Sequence, residues 1–392
     1  MPEKSTVLDL LALTFGRLVL NMTRRFPYPF LPEISRQLSV PLESVQGVMA
    51  SYAGIGVASP LLGPIGERFG RRRVLLAGLL LLIAAGTVAA LLPQFGVFAL
   101  MMLGMGVAKM VYDPAMAAYI ADHVPYQRRG RVVGITELSW ALSLLLAAPL
   151  AGFLLGSTGL PGVFAVLTLL GVGALLLIAR YIPADHDSGH LLGTITPLAT
   201  WRALRQRPSS FGALAYTLLL VIANEIFFIN YAAHMESTFG LALTALGTVS
   251  IVIALGEVFG EFVVIALADR FGKRRVALIG VLVSALGYGV MPLFSFSLPL
   301  TLAALFVIFC AIEAAVVASI PLFTEVLPQA RAIMVSSNIG AASLGRLTGA
   351  LLGGFLFANL GSFAQIGLLA AGVGLAALLL LWRFLHEYVP AA

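Results

Sequence analysis

Apolar stretches long enough to cross a membrane recur along the chain, separated by short polar segments. A hydrocarbon core about 30 Å thick requires a helix of about 20 residues. Twelve stretches approach or exceed this length, near residues 7–31, 42–65, 74–92, 95–121, 132–156, 160–181, 209–234, 242–267, 276–296, 299–324, 332–357 and 361–382. Unpaired backbone polar groups are too costly in lipid, and the stretches do not alternate as barrel strands do, so the pattern predicts helices.

The composition supports a membrane protein. Of the 392 residues, 60% are hydrophobic and 11% are charged, whereas soluble domains carry about 25% charged residues. Cys310 is the single cysteine, so an intrachain disulfide is excluded. The first apolar stretch is too long and too charged for a cleavable signal peptide. The sequence contains no nucleotide-binding loop, metal-ligand spacing or nucleophile–base pair, and it therefore predicts neither an enzyme nor a cofactor nor a metal site.

Lysine and arginine residues concentrate in alternate loops. Most of the 24 fall in segments that are cytoplasmic if the N-terminus is inside, with clusters at 68–73, 128–131, 202–207 and 270–275. Under the positive-inside rule, this distribution predicts cytoplasmic termini in a bacterial-type plasma membrane. The same loops account for the net charge of +6. We therefore expect contact with anionic lipid and no nucleic-acid binding.

A repeat relates the two parts of the chain. The segment PIGERFGRRRVLLAG (64–78) matches ALADRFGKRRVALIG (266–280) at an offset of 202 residues. Internal repeats of this kind are typical of transporters, whose substrate sites lie between the repeats. The sequence thus predicts an all-α integral membrane protein with twelve transmembrane helices in two pseudo-symmetric six-helix halves, 1–182 and 208–392, joined by a cytoplasmic linker, 183–207.

Both copies of the repeat resemble the loop signature of the major facilitator superfamily, Gly-x-x-x-Asp-Arg-x-Gly-Arg-Arg/Lys. The first copy has Glu67 at the acidic position, and the second keeps Asp269 but has Ile265 in place of the leading glycine. The resemblance covers essentially the whole chain, is closest to bacterial sugar- and drug-efflux-type members, and implies a monomeric transporter that works by alternating access. It also implies a cytoplasmic gate made of Gly63, Glu67, Arg68, Gly70, Arg71, Arg129, Asp269, Arg270 and Gly272. The alternative is that the basic residues serve only as positive-inside anchors.

Ionisable residues also lie inside the predicted spans, where they must face water or countercharges. They are Arg17, Arg24, Arg25, Lys109, Asp113, Glu137, Glu225, Glu257, Glu261, Glu313 and Arg346. They occupy spans 1, 4, 5, 7, 8, 10 and 11. In the superfamily that the chain resembles, helices 1, 4, 7 and 10 line the central cavity, so the resemblance implies a polar site there.

The first span has an unusual polar face. At about 100° per residue, Arg17, Asn21, Arg24 and Tyr28 share one side of a helix. The prolines at 27, 29 and 32 are expected to kink or end this helix. The predicted substrate-binding residues are Arg17, Asn21, Arg24, Tyr28, Lys109, Asn224 and Arg346. For Arg24 and Arg25, an alternative is that the side chains extend to the outer interface.

Acidic residues in the spans are the predicted proton carriers, because a carboxylate can change its protonation when an ion pair opens and arginine cannot. These candidates are Asp113, Glu225, Glu257, Glu261 and Glu313. Lys109 and Asp113 are spaced i,i+4 and are expected to pair. Glycines 340, 345 and 349 are interpreted as helix-packing positions.

The leading functional prediction is a secondary transporter, coupled to protons, that exports a small organic or amphipathic molecule by antiport. One alternative is a transporter of an anionic metabolite or lipid head group, held by Arg17 and Arg24. A second alternative is a membrane receptor that does not transport.

Overall fold

The computed structural model describes residues 4–58, 69–124, 126–183, 201–202, 204–205, 207–327 and 331–386. These residues are almost entirely helical, which confirms the predicted all-α class. The first seven helices are α1 (Lys4–Arg25), α2 (Leu31–Leu38), α3 (Leu42–Ile55), α4 (Arg71–Leu91), α5 (Phe95–His123), α6 (Tyr126–Ser157) and α7 (Gly159–Tyr181). The next seven are α8 (Pro208–Phe228), α9 (Tyr231–Phe239), α10 (Leu243–Phe271), α11 (Lys273–Val290), α12 (Leu298–Val326), α13 (Arg331–Leu360) and α14 (Phe363–Phe384).

Ten helical segments of the described residues are long and apolar enough to cross a membrane. They coincide with the third to twelfth predicted spans, with α8 and α9 together forming one of them. The helices α1 and α3 overlap the first two predicted spans, 7–31 and 42–65, but are not among the ten. The structure thus supports between ten and twelve membrane helices.

The first span ends where its prolines begin, as predicted. Helix α1 stops at Arg25, and a short 3-10 turn follows at Tyr28–Phe30 before α2 starts at Leu31. Proline has no backbone N–H, which favours helix ends and first turns over helix interiors. The turn is buried, with Tyr28 and Phe30 at 5% and 0% exposure. This arrangement leaves Arg24 and Arg25 in the last turn of α1.

The described residues form two compact units. The first lies within Met1–Pro41, Leu61–Thr194 and Leu243–Thr248. In this unit α1 packs against α5, α6 and α7, and α4 packs against α5 and α7. This packing places the polar face of α1 beside two other helices that carry charged residues.

The second unit lies within Leu42–Pro60, Ile195–Ala242 and Val249–Ala392. In it α8 packs against α13 and α14, α11 packs against α12 and α14, and α3 packs along α13. Helix α3 is fixed by a buried hydrogen bond, in which Gln46 donates to Asn230 Oδ1 over 2.9 Å. The repeat-based division at residues 182 and 208 stays a prediction.

Candidate functional site

Arg17 is the centre of a group of charged side chains in the first unit. Its Nη1 lies 2.8 Å from Glu137 Oε1, and its Nη2 donates to Glu137 Oε2 over 2.9 Å. The Nε atom of the same guanidinium lies 3.5 Å from Asp113 Oδ1. A two-pronged contact of this kind suits the planar guanidinium better than any other side chain. Arg17 therefore joins carboxylates from two neighbouring helices, Asp113 on α5 and Glu137 on α6.

Lys109 completes the group. Its Nζ donates to Asp113 Oδ2 over 2.7 Å, one helical turn away along α5. This contact confirms the pairing predicted from the i,i+4 spacing. Lys109 is buried, at 4% exposure, so its ammonium depends on Asp113 for a countercharge. Arg17, Lys109, Asp113 and Glu137 are called the charge cluster below.

The acids of the charge cluster are more exposed than the bases. The side chains of Glu137 and Asp113 are 50% and 28% exposed, and that of Arg17 is 14% exposed. The side chain of Lys109 is 5% exposed. The cluster is neutral by formal count, with two acids and two bases, but its accessible edge is acidic.

Asn21 lies one turn after Arg17 on α1 and is fully buried. Its Nδ2 makes a long hydrogen bond of 3.4 Å to Ser139 Oγ. Its Oδ1 is buried and has no hydrogen-bond partner within the described part of the chain. Most buried polar atoms in proteins have such partners. Among the described residues, Gln46 Oε1, Thr168 Oγ1 and Ser210 Oγ share this lack with Asn21 Oδ1.

Arg24 and Arg25 contact Trp140 of α6. Their guanidinium carbons lie 4.9 Å and 4.3 Å from the centre of the indole ring. Arg25 Nη1 also donates to the Trp140 carbonyl oxygen over 3.0 Å. Both residues are buried, at 9% and 3% exposure. In the structure both guanidinium groups therefore make cation–π contacts with Trp140. The alternative interpretation instead has these two side chains extend to the outer interface.

The remaining candidates of the second unit lie on four helices. Asn224 of α8 accepts a hydrogen bond from the Tyr288 hydroxyl over 3.1 Å. Glu225 and Glu257 are buried, at 3% and 5% exposure. Glu261, Glu313 and Arg346 are half-buried.

Several predicted gating residues lie outside the described residues. These are Gly63, Glu67 and Arg68, together with the side chains of Arg129 and Asp269. Gly70 and Gly272 are described and have φ of 89° and 92°. Only glycine adopts this left-handed region readily, so the repeated glycine allows the turn that begins α4 and α11. Arg71 and Arg270 are half-buried and exposed, respectively.

The basic residues of the two signatures also make equivalent contacts. Arg72 Nη2 donates to the Ala179 carbonyl oxygen over 2.7 Å at the end of α7. Its repeat equivalent, Arg274, donates to the Trp382 carbonyl oxygen over 2.6 Å at the end of α14. A cation at a helix C-terminus satisfies a free carbonyl and stabilises the helix dipole. These arginines therefore have a structural role that neither gating nor anchoring describes.

The predicted substrate-binding and proton-carrying residues include none from α6, although Glu137 is among the ionisable residues within the predicted spans. Glu137, Ser139 and Trp140 each contact the polar face of α1. A signal was present, because Glu137 is the single acid in an otherwise apolar span. Its partner was not evident, because the pairing crosses 120 residues.

A helical membrane protein with paired charges inside its spans has the features of a transporter. The chain belongs to the Major Facilitator Superfamily, since the model of that family matches residues 13–228 and again residues 213–392. The double match agrees with the internal repeat. The protein is accordingly a multi-pass membrane transporter and not an enzyme.

Relatives and solved structures agree with this assignment. An uncharacterized MFS-type transporter of Bacillus subtilis (strain 168), YwfA, is 27% identical, and the match covers 76% of this chain and 73% of YwfA. The tetracycline resistance protein, class G, of Vibrio anguillarum is 29% identical, with coverage of 66% and 68%. The crystal structure of a D-xylose-proton symporter matches with a TM-score of 0.77 at 18% identity, covering 98% of this chain and 99% of that one. The last match supports the fold alone.

Proposed function

We propose that this transporter is a proton-coupled exporter that exchanges protons for a small organic or amphipathic molecule. The observation that carries the proposal is the charge cluster, in which Asp113 and Glu137 share Arg17. The more exposed of these acids, Glu137, is the proposed entry point for protons.

The chemistry of the cluster suits coupling. Arginine stays protonated under all working conditions, whereas a carboxylate exchanges its proton. Protonation of Glu137 removes its attraction for Arg17 and leaves the guanidinium with Asp113. Asp113 also holds Lys109, so the remaining contacts redistribute when one acid is neutralised. The ion pairs then differ in energy between the protonated and the deprotonated protein. Proton binding can shift a conformational equilibrium only through such a difference.

The direction of transport in the proposal comes from a relative. A relative from Pasteurella multocida (strain Pm70), 22% identical with coverage of 59% of each chain, is named a probable sugar efflux transporter. We extend this direction to the present chain.

The proposal also places both termini in the cytoplasm of a bacterial-type plasma membrane and takes the monomer as the functional form.

The other acidic candidates form a second set within the proposal. Glu225, Glu257, Glu261 and Glu313 belong to helices of the second unit. Each is proposed to carry a proton, or to balance a base, at a later step of the cycle. The signatures around Glu67 and Asp269 are proposed to gate the cytoplasmic side.

Proteoliposomes test the proposal. The purified protein is reconstituted with a pH-sensitive dye trapped inside, and a panel of amphipathic compounds is added in the presence and absence of an imposed pH gradient. We expect that, for a subset of compounds, protons cross the membrane in the direction opposite to the compound. The internal pH then changes only when protein and compound are both present. Compound movement without any proton movement contradicts the coupling. No movement of any compound across a broad panel favours a receptor.

A further inference from the structure

The charge cluster offers hydrogen-bond acceptors rather than donors to a ligand. Its bases are covered, since the side chains of Arg17 and Lys109 are 14% and 5% exposed. Its acids are more accessible, since the side chains of Glu137 and Asp113 are 50% and 28% exposed, although Asp113 Oδ1 itself is buried. A molecule that approaches this edge therefore meets carboxylate oxygens first.

Two further oxygens beside Arg17 lack hydrogen bonds within the described residues. They are Asp113 Oδ1, which lies 3.5 Å from Arg17 Nε, and Asn21 Oδ1. Asn21 is 0% exposed, so water does not reach this oxygen from the surface in the described state. A buried acceptor without a donor is unfavourable, and the N–H group of a ligand that enters when the surrounding helices separate would satisfy it.

The donors nearby are already occupied. Both terminal nitrogens of Arg17 face Glu137, and Lys109 donates to Asp113. Arg24 and Arg25 lie over the Trp140 ring. An anionic group would have to displace a carboxylate from one of these bases. Each Glu137 oxygen contacts one terminal nitrogen of Arg17 and keeps a second lone pair, which a cation with N–H donors can use without displacing Arg17.

We propose that the substrate is an organic cation with N–H donors, such as a primary or secondary ammonium ion, bound by Glu137 and Asp113 with Asn21 as a further acceptor. This inference rests on the proposed function, because it assigns a substrate class to the same site. It assigns Arg17 to positioning the two carboxylates, in place of the anion-binding role that the sequence suggested. A proton and an ammonium ion neutralise the same carboxylate, so each excludes the other, as exchange requires.

Probes that share a naphthalene ring and differ in their charged group test the inference in binding experiments, which need neither transport nor a gradient. The purified full-length protein in detergent micelles is titrated with naphthylmethylammonium, with its N-trimethylated derivative and with naphthoate. We expect the ammonium ion to bind about tenfold more tightly than the carboxylate, a ratio equivalent to about 1.4 kcal/mol. Tighter binding of naphthoate than of the ammonium ion overturns the inference.

Variants locate the binding. Glu137→Gln keeps the shape of the side chain and is expected to weaken ammonium binding roughly fivefold or more, since a charge contact becomes a neutral one. Asp113→Asn is a second variant with the same expectation, in case the first does not fold. Glu33→Gln is the control, because Glu33 pairs with Arg36 on α2, away from the cluster. Unchanged ammonium binding in both cluster variants overturns the inference.

Asn21→Leu tests the buried acceptor. The wild-type protein is expected to prefer the ammonium ion to its trimethylated derivative, which has the charge but no N–H. The variant should lose this preference, because leucine has the same branched arrangement of side-chain heavy atoms and no acceptor. A preference that persists in the variant removes Asn21 from the site. Failure of these binding results, with proton exchange intact in proteoliposomes, refutes the substrate class and leaves the proposed function standing.

Discussion

Two bases of the first unit, the half-buried Arg17 and the buried Arg25, differ in what their loss leaves behind. Arg17 separates Asp113 from Glu137, so its removal leaves two carboxylates without their shared countercharge. Arg25 contacts the ring and the carbonyl oxygen of Trp140, which are neutral groups. The cost of removing one member of a charged group is greatest when the partner charges remain.

We therefore expect Arg17→Ala to reduce substrate transport more than Arg25→Ala does. The measurement is the initial transport rate in proteoliposomes, normalised to folded protein. Equal and small effects of the two substitutions would assign the polar face of α1 to structure alone.

Lys109 and Asp113 provide a second test at the scale of single residues. Lys109→Met leaves Asp113 without its 2.7 Å partner, and Asp113→Asn leaves Lys109 without an acid. Breaking a buried ion pair costs about 3–5 kcal/mol, and the partial exposure of Asp113 places the cost at or below the lower end of that range. The double variant removes both charges and is expected to recover part of the loss.

Thermal unfolding in detergent compares the two single variants with the double variant. If the double variant loses less stability than the two single variants lose together, the two side chains stabilise each other as a pair. Additive effects would show that the two side chains contribute independently.

At the scale of helices, α13 contains glycines in two different environments. A Cβ atom added at Gly349 would lie 2.7 Å from Glu225 Cβ and 2.9 Å from the Ile222 carbonyl oxygen of α8. A Cβ atom added at Gly340 would meet nothing within 4 Å. The packing interpretation therefore holds for Gly349 and is wrong for Gly340.

Gly349→Ala is expected to destabilise the protein, because overpacking costs about 1–3 kcal/mol. Gly340→Ala is the matched control on the same helix, and alanine should stabilise it by up to about 1 kcal/mol. The midpoint of thermal unfolding should fall for the first variant and stay equal or rise for the second. A fall of equal size in both would contradict the close approach of α8 and α13.

The sequence predicted helices better than it predicted contacts between them. Span positions follow from length and hydropathy, and the end of α1 follows from its prolines, because both depend on local chemistry. The pair Lys109–Asp113 was also predictable, since one helical turn separates the partners. The contact of Arg17 with Glu137 was not, because it depends on how α1 and α6 pack. The same packing decides that the acids of the cluster are more exposed than its bases, which the sequence does not show.

For the whole molecule, the repeated signatures predict paired gating acids. Glu67→Ala and Asp269→Ala are expected to impair transport with little loss of folded protein, because both acids lie at equivalent positions beside basic loops. Transport rate and the yield of monodisperse protein are measured together. Wild-type rates in both variants, at equal expression, would remove the gating role.

The central claim is that protons drive transport through the charge cluster, and the most direct measurement compares Glu137→Gln with Glu33→Gln in proteoliposomes. The compound with the largest wild-type pH signal serves as substrate. We predict that Glu137→Gln abolishes accumulation driven by a pH gradient, while exchange of substrate for substrate persists at raised concentration and Glu33→Gln behaves as wild type. Full proton-driven accumulation by Glu137→Gln would contradict the claim.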